Sequence, residues 1–469
     1  MSRGATNALH GPDEPTNSGG RAVAANPGDA PLSAAHATVG DSTMAEPTAA
    51  APPRPPGALA RYLPSLTSTA YRRFLGGALL SNLGTWMQAT AQGWLVLGLT
   101  NSAALLGLTS AAASLPILLF SLYAGVLADR VDQRRLLVAT QVMAAVFTAG
   151  LALLVSLGTV QFWQVVVVAF LVGCVNAMAS PAYQALVSTL VDAPHLGNAI
   201  ALNSAQFNVS RIFGPTLAGV GIALGGLALA FWANSLSFVV VVIVLATLPI
   251  TNVKTIGRIE ASMWSNLVDG LRYARNDRIV LTLLGLTIGP GLFNLNYLVL
   301  MPVYARDILQ IGAPGLGLLT AAVGIGALIG AMSIALLRPA GGDGRLVLAG
   351  LIAATMGLFV FAASTWLPLS LLGLAILGGA QTVYYATTNT LLQLLVPPRL
   401  RGRIMSIYIL SSTGVVPLGN VVGGVVAENF GAPVALIGGG LVTLLLAAVL
   451  VLKVPAVLAA HPGQARTAA

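Results

Sequence analysis

Few residues of this chain could take part in catalysis or proton transfer, because its long apolar stretches contain almost no charged side chains. Of the 469 residues, 56% are hydrophobic and only 8% are charged. One charged group lies between two apolar stretches and reads Gly125-Val-Leu-Ala-Asp129-Arg130-Val-Asp-Gln-Arg134-Arg135. A carboxylate is stabilised near a helix N-terminus, and arginines resist crossing hydrocarbon. The pattern therefore predicts a tight loop between two membrane helices, in which Asp129 either forms a charge lock or carries a coupling proton.

A second candidate is a basic residue inside an apolar stretch, in the segment Arg211-Ile-Phe-Gly214-Pro215-Thr-Leu-Ala-Gly219. Counted from Asn198, Arg211 lies about 20 Å along a helix axis, which is too deep to reach the membrane surface easily. Two roles are open for it: attracting an anionic substrate, or capping carbonyls of a broken helix. Proline kinks the helix and the small residues admit a close neighbour, so an ordinary packing kink is the alternative for this segment.

Uncharged polar side chains follow one face of several apolar stretches. Amides mixed with aromatic rings suit a pocket for a mid-sized organic molecule with many hydrogen-bonding groups. Hydrogen bonding between helices is the alternative explanation. The candidates for the cavity are Asn82, Gln88, Gln92, Asn176, Gln184, Asn203, Gln206, Asn294, Asn296, Gln381, Tyr384, Tyr385 and Asn389.

The elements that must position these residues are apolar runs of about 20 residues, the length that spans a bilayer as a helix. They predict an all-α membrane protein with twelve transmembrane helices. The runs are roughly 75–98, 104–128, 136–157, 161–181, 198–224, 226–249, 279–302, 313–337, 346–364, 368–392, 404–427 and 432–453.

The basic residues predict the orientation. With twelve spans, all but two of the 23 Lys and Arg residues fall on one side, the exceptions being Arg211 within a span and Arg306 in a loop on the other side. Membrane proteins retain such residues in the cytoplasm. Both termini are therefore expected to be cytoplasmic.

The longest connection divides the chain into two six-helix halves. Similar segments recur in both, such as Leu190-Val-Asp-Ala-Pro194 and Leu394-Leu-Val-Pro-Pro398, so the halves are predicted to be pseudo-repeats. The connection includes an expected amphipathic helix from Trp264 to Tyr273. The predicted domains are a disordered cytoplasmic tail (1–70), an N-terminal bundle (71–249), a cytoplasmic linker (250–278), a C-terminal bundle (279–453) and a cytoplasmic C-terminal tail (454–469).

These features together resemble the major facilitator superfamily. The charged loop resembles the family's loop between its second and third helices, although Asp132-Gln133 stands where the family usually has a glycine. The segment from Arg211 to Gly219 resembles the fifth-helix motif of the family's exporters. With Arg401-Gly-Arg403-Ile-Met-Ser, the chain is similar over about 70–455 to the enterobactin-exporter-like, or transmembrane secretion effector, branch.

The resemblance implies a secondary active transporter of the bacterial cytoplasmic (inner) membrane. It would export a small amphipathic organic molecule, such as a siderophore or a drug-like compound, by alternating access and proton antiport. The expected partners are this substrate, membrane lipids and a coupling proton, with the protein as a monomer. Asp129 is expected either to accept hydrogen bonds from a helix end or to pair with arginines of the facing half, such as Arg399, Arg401 or Arg403. An uptake permease of the same superfamily and a non-transporting scaffold or sensor are the alternatives.

Other functions have little support in the sequence. No Asp, Glu or His falls within the core of a predicted span, and catalysis inside the membrane would need such groups or a metal cluster. We therefore expect no enzyme, metal site or cofactor, and the same absence disfavours a proton relay through the spans. The net charge of +9 could suggest nucleic acid, but the basic residues are spread between apolar runs instead of forming one patch.

Overall fold

The computed structural model describes residues 63–248, 263–337 and 343–460, and within these ranges the chain is built of helices. We number the membrane crossings in chain order as spans. Spans 1 to 4 are Thr69–Thr100, Ala103–Arg130, Gln133–Ser156 and Phe162–Thr189, and Leu196–Thr247 provides spans 5 and 6. Spans 7 to 12 are Arg278–Ile308, Gly312–Leu337, Gly344–Ala363, Leu367–Leu395, Pro398–Phe430 and Ala432–Lys453.

The number of crossings follows from two details of the first half. In the part of the chain that the structure describes, ten helical stretches are long and apolar enough to cross a membrane, and one of them, Ala193–Thr247, has 55 residues. It is divided at Gly226, whose backbone (φ 74°, ψ 179°) is not helical, so it crosses twice. Thr69–Thr100 has 32 residues and completes the twelve; its polar residues lower its hydropathy. The predicted all-α membrane fold with twelve transmembrane helices is confirmed.

The two halves repeat one packing pattern. Span 2 packs against span 4 as span 8 packs against span 10, and span 3 packs against spans 4 and 6 as span 9 packs against spans 10 and 12. The predicted pair of six-helix pseudo-repeats is therefore confirmed.

Tight reversals of the chain gather on one face of the bundle. Every positive-φ residue of the described ranges lies at a turn there: Asn101, Gly158, Gly226, Gln310, Gly312 and Gly431. A left-handed residue ends a helix and turns the chain back, and glycine adopts this conformation without steric penalty. We call this side the hairpin face and the side where Thr69 and Lys453 lie the termini face.

Spans 7 and 11 are interrupted by wider, π-helical turns. They lie at Pro290–Asn294, Tyr304–Ile308 and Leu410–Gly414. Such turns are rare and often occur at functional sites. The last turn of span 7 also corrects an expectation: the span does not end near residue 302 but continues to Ile308, so Arg306 belongs to a helical turn and not to a loop.

The connection between the halves contains the helix Met263–Asn276 where an amphipathic helix was predicted. Its Asp269 pairs with Arg403 at the start of span 11 at 2.8 Å, and Gly270 packs beside the same arginine. Before span 1, Pro64–Thr67 forms a short helical turn. Residues 1–62, 249–262, 338–342 and 461–469 lie outside the described part, and the predicted domain boundaries remain predictions.

Candidate functional site: the interface between the two halves

The halves meet where the backbones of two helix pairs nearly touch. Between spans 5 and 8, a Cβ atom on Gly219 would lie 2.7 Å from the Ala313 carbonyl oxygen, and one on Gly317 would lie 2.8 Å from the Pro215 carbonyl oxygen. Between spans 2 and 11, a Cβ on Gly424 would lie 2.7 Å from the Ala103 carbonyl oxygen. Only residues without a side chain permit these contacts.

The segment from Arg211 to Gly219 in span 5 contacts two different helices. Gly219 and Pro215 lie against span 8 of the other half. Gly214 instead faces span 1, where an added Cβ would lie 2.5 Å from the Cβ of Trp86. The Trp86 ring also lies 6.0 Å from the ring of Phe207 in an edge-on arrangement. This glycine allows span 1 to place a tryptophan beside span 5.

Arg211 lies one turn before Gly214 and reaches across to the second half. Its half-buried side chain lies near the hydroxyl of Tyr297 in span 7, close enough for the guanidinium to interact with it electrostatically. Tyr297 is fully buried and donates to Gln381 Oε1 of span 10 at 3.4 Å. We call Arg211, Tyr297 and Gln381 the central triad. It brings two predicted site residues, Arg211 and Gln381, together through Tyr297.

In the first half, the predicted amides bond mainly to one another. Asn82 Nδ2 donates to Gln206 Oε1 at 3.3 Å, and Gln206 Nε2 donates to Asn203 Oδ1 at the same distance. Gln88 accepts a hydrogen bond of 2.6 Å from Asn234 of span 6. Two of these bonds, Asn82–Gln206 and Gln88–Asn234, join different helices. They agree with the alternative explanation, in which the polar residues hold the helices together.

Two further candidates, Asn176 and Gln184, lie on exposed positions of span 4. In the described ranges neither side chain forms a hydrogen bond with the paired amides of spans 1 and 5. Their role in a cavity remains a prediction.

In the second half, several predicted polar groups are buried without a partner among the described residues. They are Oδ1 of Asn294, Oδ1 of Asn296 and the hydroxyl of Tyr385. Asn294 uses only its amide nitrogen, which donates to Thr355 Oγ1 at 3.0 Å. Tyr384 donates to the Leu286 carbonyl at 3.0 Å. Since a buried polar atom without a hydrogen bond is costly, unpaired groups of this kind mark places where a ligand or water can bind.

Asn389 of span 10 and Asn420 of span 11 differ in whether their side chains have partners. Asn389 accepts from Gln393 in its own helix and interacts with the Tyr408 hydroxyl. Asn420 was not predicted, although its Oδ1 is also buried and unpaired within the described ranges. An amide next to Gly419 in an otherwise apolar helix was the signal that could have identified it.

A cavity of about 190 Å³ lies between spans 1, 2, 7 and 8. Of the predicted residues it includes Gln92, and it adds Trp86, Thr109, Met301 and Thr320. Pockets for drug-sized ligands usually measure about 300–1,000 Å³, so this cavity must widen to admit one. A larger cavity of about 520 Å³, around Asp277 and Lys453, lies at the termini face, away from the interface.

The charged loop of the prediction is only partly described. Gly125, Asp129 and Arg130 lie in the last turns of span 2, but their side chains fall outside the described part. Asp132 caps span 3 by accepting from the Arg135 N–H at 2.9 Å, and Arg134 donates to the Ala246 carbonyl at the end of span 6.

Two of the arginines expected to face Asp129 have other partners here. Arg403 pairs with Asp269 at 2.8 Å, and Arg401 donates to the Val396 carbonyl at 3.3 Å. The lock with Arg399, Arg401 or Arg403 remains a prediction.

The structure represents a conformation closed at the hairpin face. There, Arg306 of span 7 donates to the Leu97 carbonyl at 3.0 Å, and Glu428 of span 11 accepts from the Ala103 N–H at 2.6 Å. Apart from the Arg211–Tyr297 contact, the side-chain hydrogen bonds that join the halves in the described ranges all lie on this face.

Known proteins resemble this chain along most of its length. Residues 61–464 match the transmembrane secretion effector family. The multidrug efflux pump Tap of Mycolicibacterium fortuitum is 27% identical over 387 residues, or 80% of this chain and 94% of Tap. The staphyloferrin A transporter of Staphylococcus aureus is 30% identical over 171 residues, or 36% of this chain and 43% of that protein.

Two solved structures show the same fold. The nucleoside transporter NupG has a TM-score of 0.64 at 14% identity, covering 82% of this chain and 98% of NupG. A bacterial homologue of the human lysosomal transporter Spinster has a TM-score of 0.66 at 14% identity, covering 82% of this chain and 96% of that chain. With the fold and the family match in agreement, the chain belongs to the transmembrane secretion effector family of major facilitator transporters.

Proposed function

We propose that this protein exports small amphipathic organic molecules that carry a negative group, such as a siderophore or an anionic drug, across the bacterial inner membrane. It works by alternating access as a proton antiporter and not as an enzyme, and it acts as a monomer. The observation that carries the proposal is Arg211, a half-buried cation of the first half that lies near the Tyr297 hydroxyl of the second half.

The neutral surroundings of Arg211 support an anionic substrate. In the central triad the guanidinium of Arg211 lies near the Tyr297 hydroxyl, and that hydroxyl donates to the amide oxygen of Gln381. The triad therefore contains no carboxylate that would neutralise the charge of Arg211. A cation in a low-dielectric environment without a counter-ion is costly. An anionic group on the substrate would offset this cost, and the unpaired oxygens of Asn294 and Asn296 are available for water or for substrate donors.

The relatives support the direction of transport. Tap, which aligns over 94% of its own length, is named an efflux pump. The staphyloferrin A transporter, which aligns over a shorter stretch, is named for a siderophore. We infer export with the termini face in the cytoplasm, because the basic residues are expected on that side. Asp129 remains the candidate for proton coupling.

Inverted membrane vesicles test this function, since they present the cytoplasmic face outward and an exporter should load them. Energised vesicles with the wild-type protein should accumulate a labelled anionic siderophore, and a protonophore should abolish the accumulation. Arg211→Ala should eliminate loading of anions while leaving membrane abundance near normal. Arg211→Lys should retain part of it.

The matched control is Gln92→Ala, which removes an uncharged cavity residue. It should affect anionic and neutral compounds alike. If Arg211→Ala instead removes the folded protein from the membrane, Arg211 is structural. If wild-type vesicles load none of the compounds, export itself is wrong and uptake or a non-transport role replaces it.

A further inference from the structure

Two side chains of the second half hold the first turn of the hairpin face. This turn joins span 1, which ends at Thr100, to span 2, which begins at Ala103. Asn101 between them has the left-handed conformation (φ 51°) that ends span 1. The turn belongs to the first half, whereas the side chains that hold it come from the ends of spans 7 and 11.

The basic member is Arg306. Its Nη1 donates to the Leu97 carbonyl at 3.0 Å, and its Nη2 donates to Asn101 Oδ1. Asp307 fixes the guanidinium by accepting from Nε at 2.6 Å and from Nη2 at 3.0 Å. Arg306 thus places a cation at the C-terminus of span 1, where it is a second donor to a carbonyl that also accepts from the Asn101 N–H at 2.9 Å.

The acidic member is Glu428. Its Oε2 accepts from the Ala103 N–H at 2.6 Å and from the Ala104 N–H at 3.3 Å. It therefore places an anion at the N-terminus of span 2, where N–H groups lack helical partners. One turn deeper, Gly107 and Gly424 bring the two backbones into contact, so the bond lies beside the closest approach of spans 2 and 11.

Each charge lies at the helix end that stabilises it. The N-terminus of a helix carries a partial positive charge and the C-terminus a partial negative one. Glu428, at the N-terminus of span 2, and Arg306, at the C-terminus of span 1, therefore attract the same turn from two sides. We propose that Arg306 and Glu428 form a charge clamp that closes the hairpin face, and that the transporter must release this clamp to open there.

The clamp differs in one testable respect from an ion pair that Arg306 and Glu428 would form with each other inside the second half. If the two charges acted on each other, exchanging them would preserve the attraction. In the clamp each charge acts on a helix end. Arg306→Glu combined with Glu428→Arg therefore places an anion at the C-terminus of span 1 and a cation at the N-terminus of span 2, and both positions are unfavourable. The double exchange should therefore open the hairpin face at least as much as either single change.

Distance measurements between spin labels test the clamp without a substrate. The chain has one cysteine, Cys174, which Cys174→Ser removes. Labels are then attached through Leu157→Cys and Trp366→Cys, two positions of the hairpin face that are 64% and 66% exposed, one in each half. In the full-length purified protein, Glu428→Arg and Arg306→Glu should raise the long-distance population several-fold, and Glu428→Gln should raise it less.

Asn429→Ala is the matched control, because this neighbour of Glu428 bonds back to the Val425 carbonyl of its own helix. It should leave the distances unchanged. The clamp is overturned if Glu428→Gln and Glu428→Arg, shown to be folded by gel filtration, leave the wild-type distribution intact. It is also overturned, in favour of a direct ion pair, if the double exchange restores closure.

The clamp and the proposed export of anions can fail separately. The distances report closure whether or not a substrate is known. A shifted distribution with no vesicle loading would retain the clamp and reject export. Normal vesicle loading with unshifted distances would retain export and reject the clamp.

Discussion

The two halves share one helix packing pattern but treat their polar groups differently. At the interface, the first half pairs its amides internally, as Asn82 with Gln206 and Gln88 with Asn234. The second half buries unpaired oxygens on Asn294, Asn296 and Asn420, in the spans that also contain the π-helical turns. The unpaired groups that the first half does have in the described ranges lie on span 3, which packs against spans 4 and 6.

This difference indicates a division of roles. The first half contributes a charge, Arg211, while the amides of its spans 1 and 5 pair within that half. The second half contributes neutral hydrogen-bonding groups that its own packing leaves unused. Because leaving such groups buried is costly, their number in spans 7 and 11 is better explained by binding than by folding.

The strongest test of the interface is Gly219→Val. The added side chain would meet the Ala313 carbonyl and Pro314 of span 8, so spans 5 and 8 could not approach. Overpacking of this kind costs roughly 1–3 kcal/mol, which corresponds to about 5- to 150-fold in an equilibrium. We expect a fall in vesicle loading of that size. Gly98→Val is the control, because Gly98 faces open space; equal losses for both would show that the contact is not required.

The difference in pairing predicts opposite effects on stability. Gln88→Leu leaves the buried amide of Asn234 without its acceptor and should lower the free energy of unfolding by about 1–3 kcal/mol. Asn296→Leu removes an oxygen that has no partner and should cost less than about 1 kcal/mol or stabilise the protein. Thermal unfolding in detergent measures both. Transport should show the reverse order, since Asn296 is assigned to binding; equal destabilisation would refute the division of roles.

The central triad that links the halves should show a smaller effect. Tyr297→Phe keeps the buried ring but removes the hydroxyl between Arg211 and Gln381. A hydrogen bond is worth about 1 kcal/mol, so loading of an anionic substrate should fall about fivefold. Tyr304→Phe is a suitable comparison, because that hydroxyl donates to the Ala362 carbonyl within the second half. If the two variants transport equally, the triad has no special role.

The smallest effect is expected at the termini face, outside the interface. Asp269→Asn weakens the pair with Arg403, in which both side chains are partly exposed. Pairs of this kind contribute about 0–1 kcal/mol, so the unfolding midpoint should hardly change. A double-mutant cycle with Arg403→Gln measures the coupling. A coupling well above this range would mean that the linker helix is held more firmly than its exposure suggests.

The sequence was most informative about Gly214, Pro215 and Gly219. Their spacing predicted a kinked helix that a neighbour approaches closely, and the structure places Gly219 against span 8 and Gly214 against span 1. It was less informative about Gln88, whose bond to Asn234 makes it a structural amide, and it did not identify Asn420. A single sequence reveals that a polar residue lies in a helix but not which neighbour that residue faces.

What the sequence determined by itself is the class of the protein and its crossings. In a bilayer every backbone N–H and C=O must bond within the chain, so apolar runs of about 20 residues can only be helices. The tertiary structure alone decided the partners: Tyr297 for Arg211, Asp269 for Arg403, and the first turn of the hairpin face for Arg306 and Glu428. These partners depend on how distant helices are rotated and how closely they approach, and residue spacing along one chain does not specify either quantity.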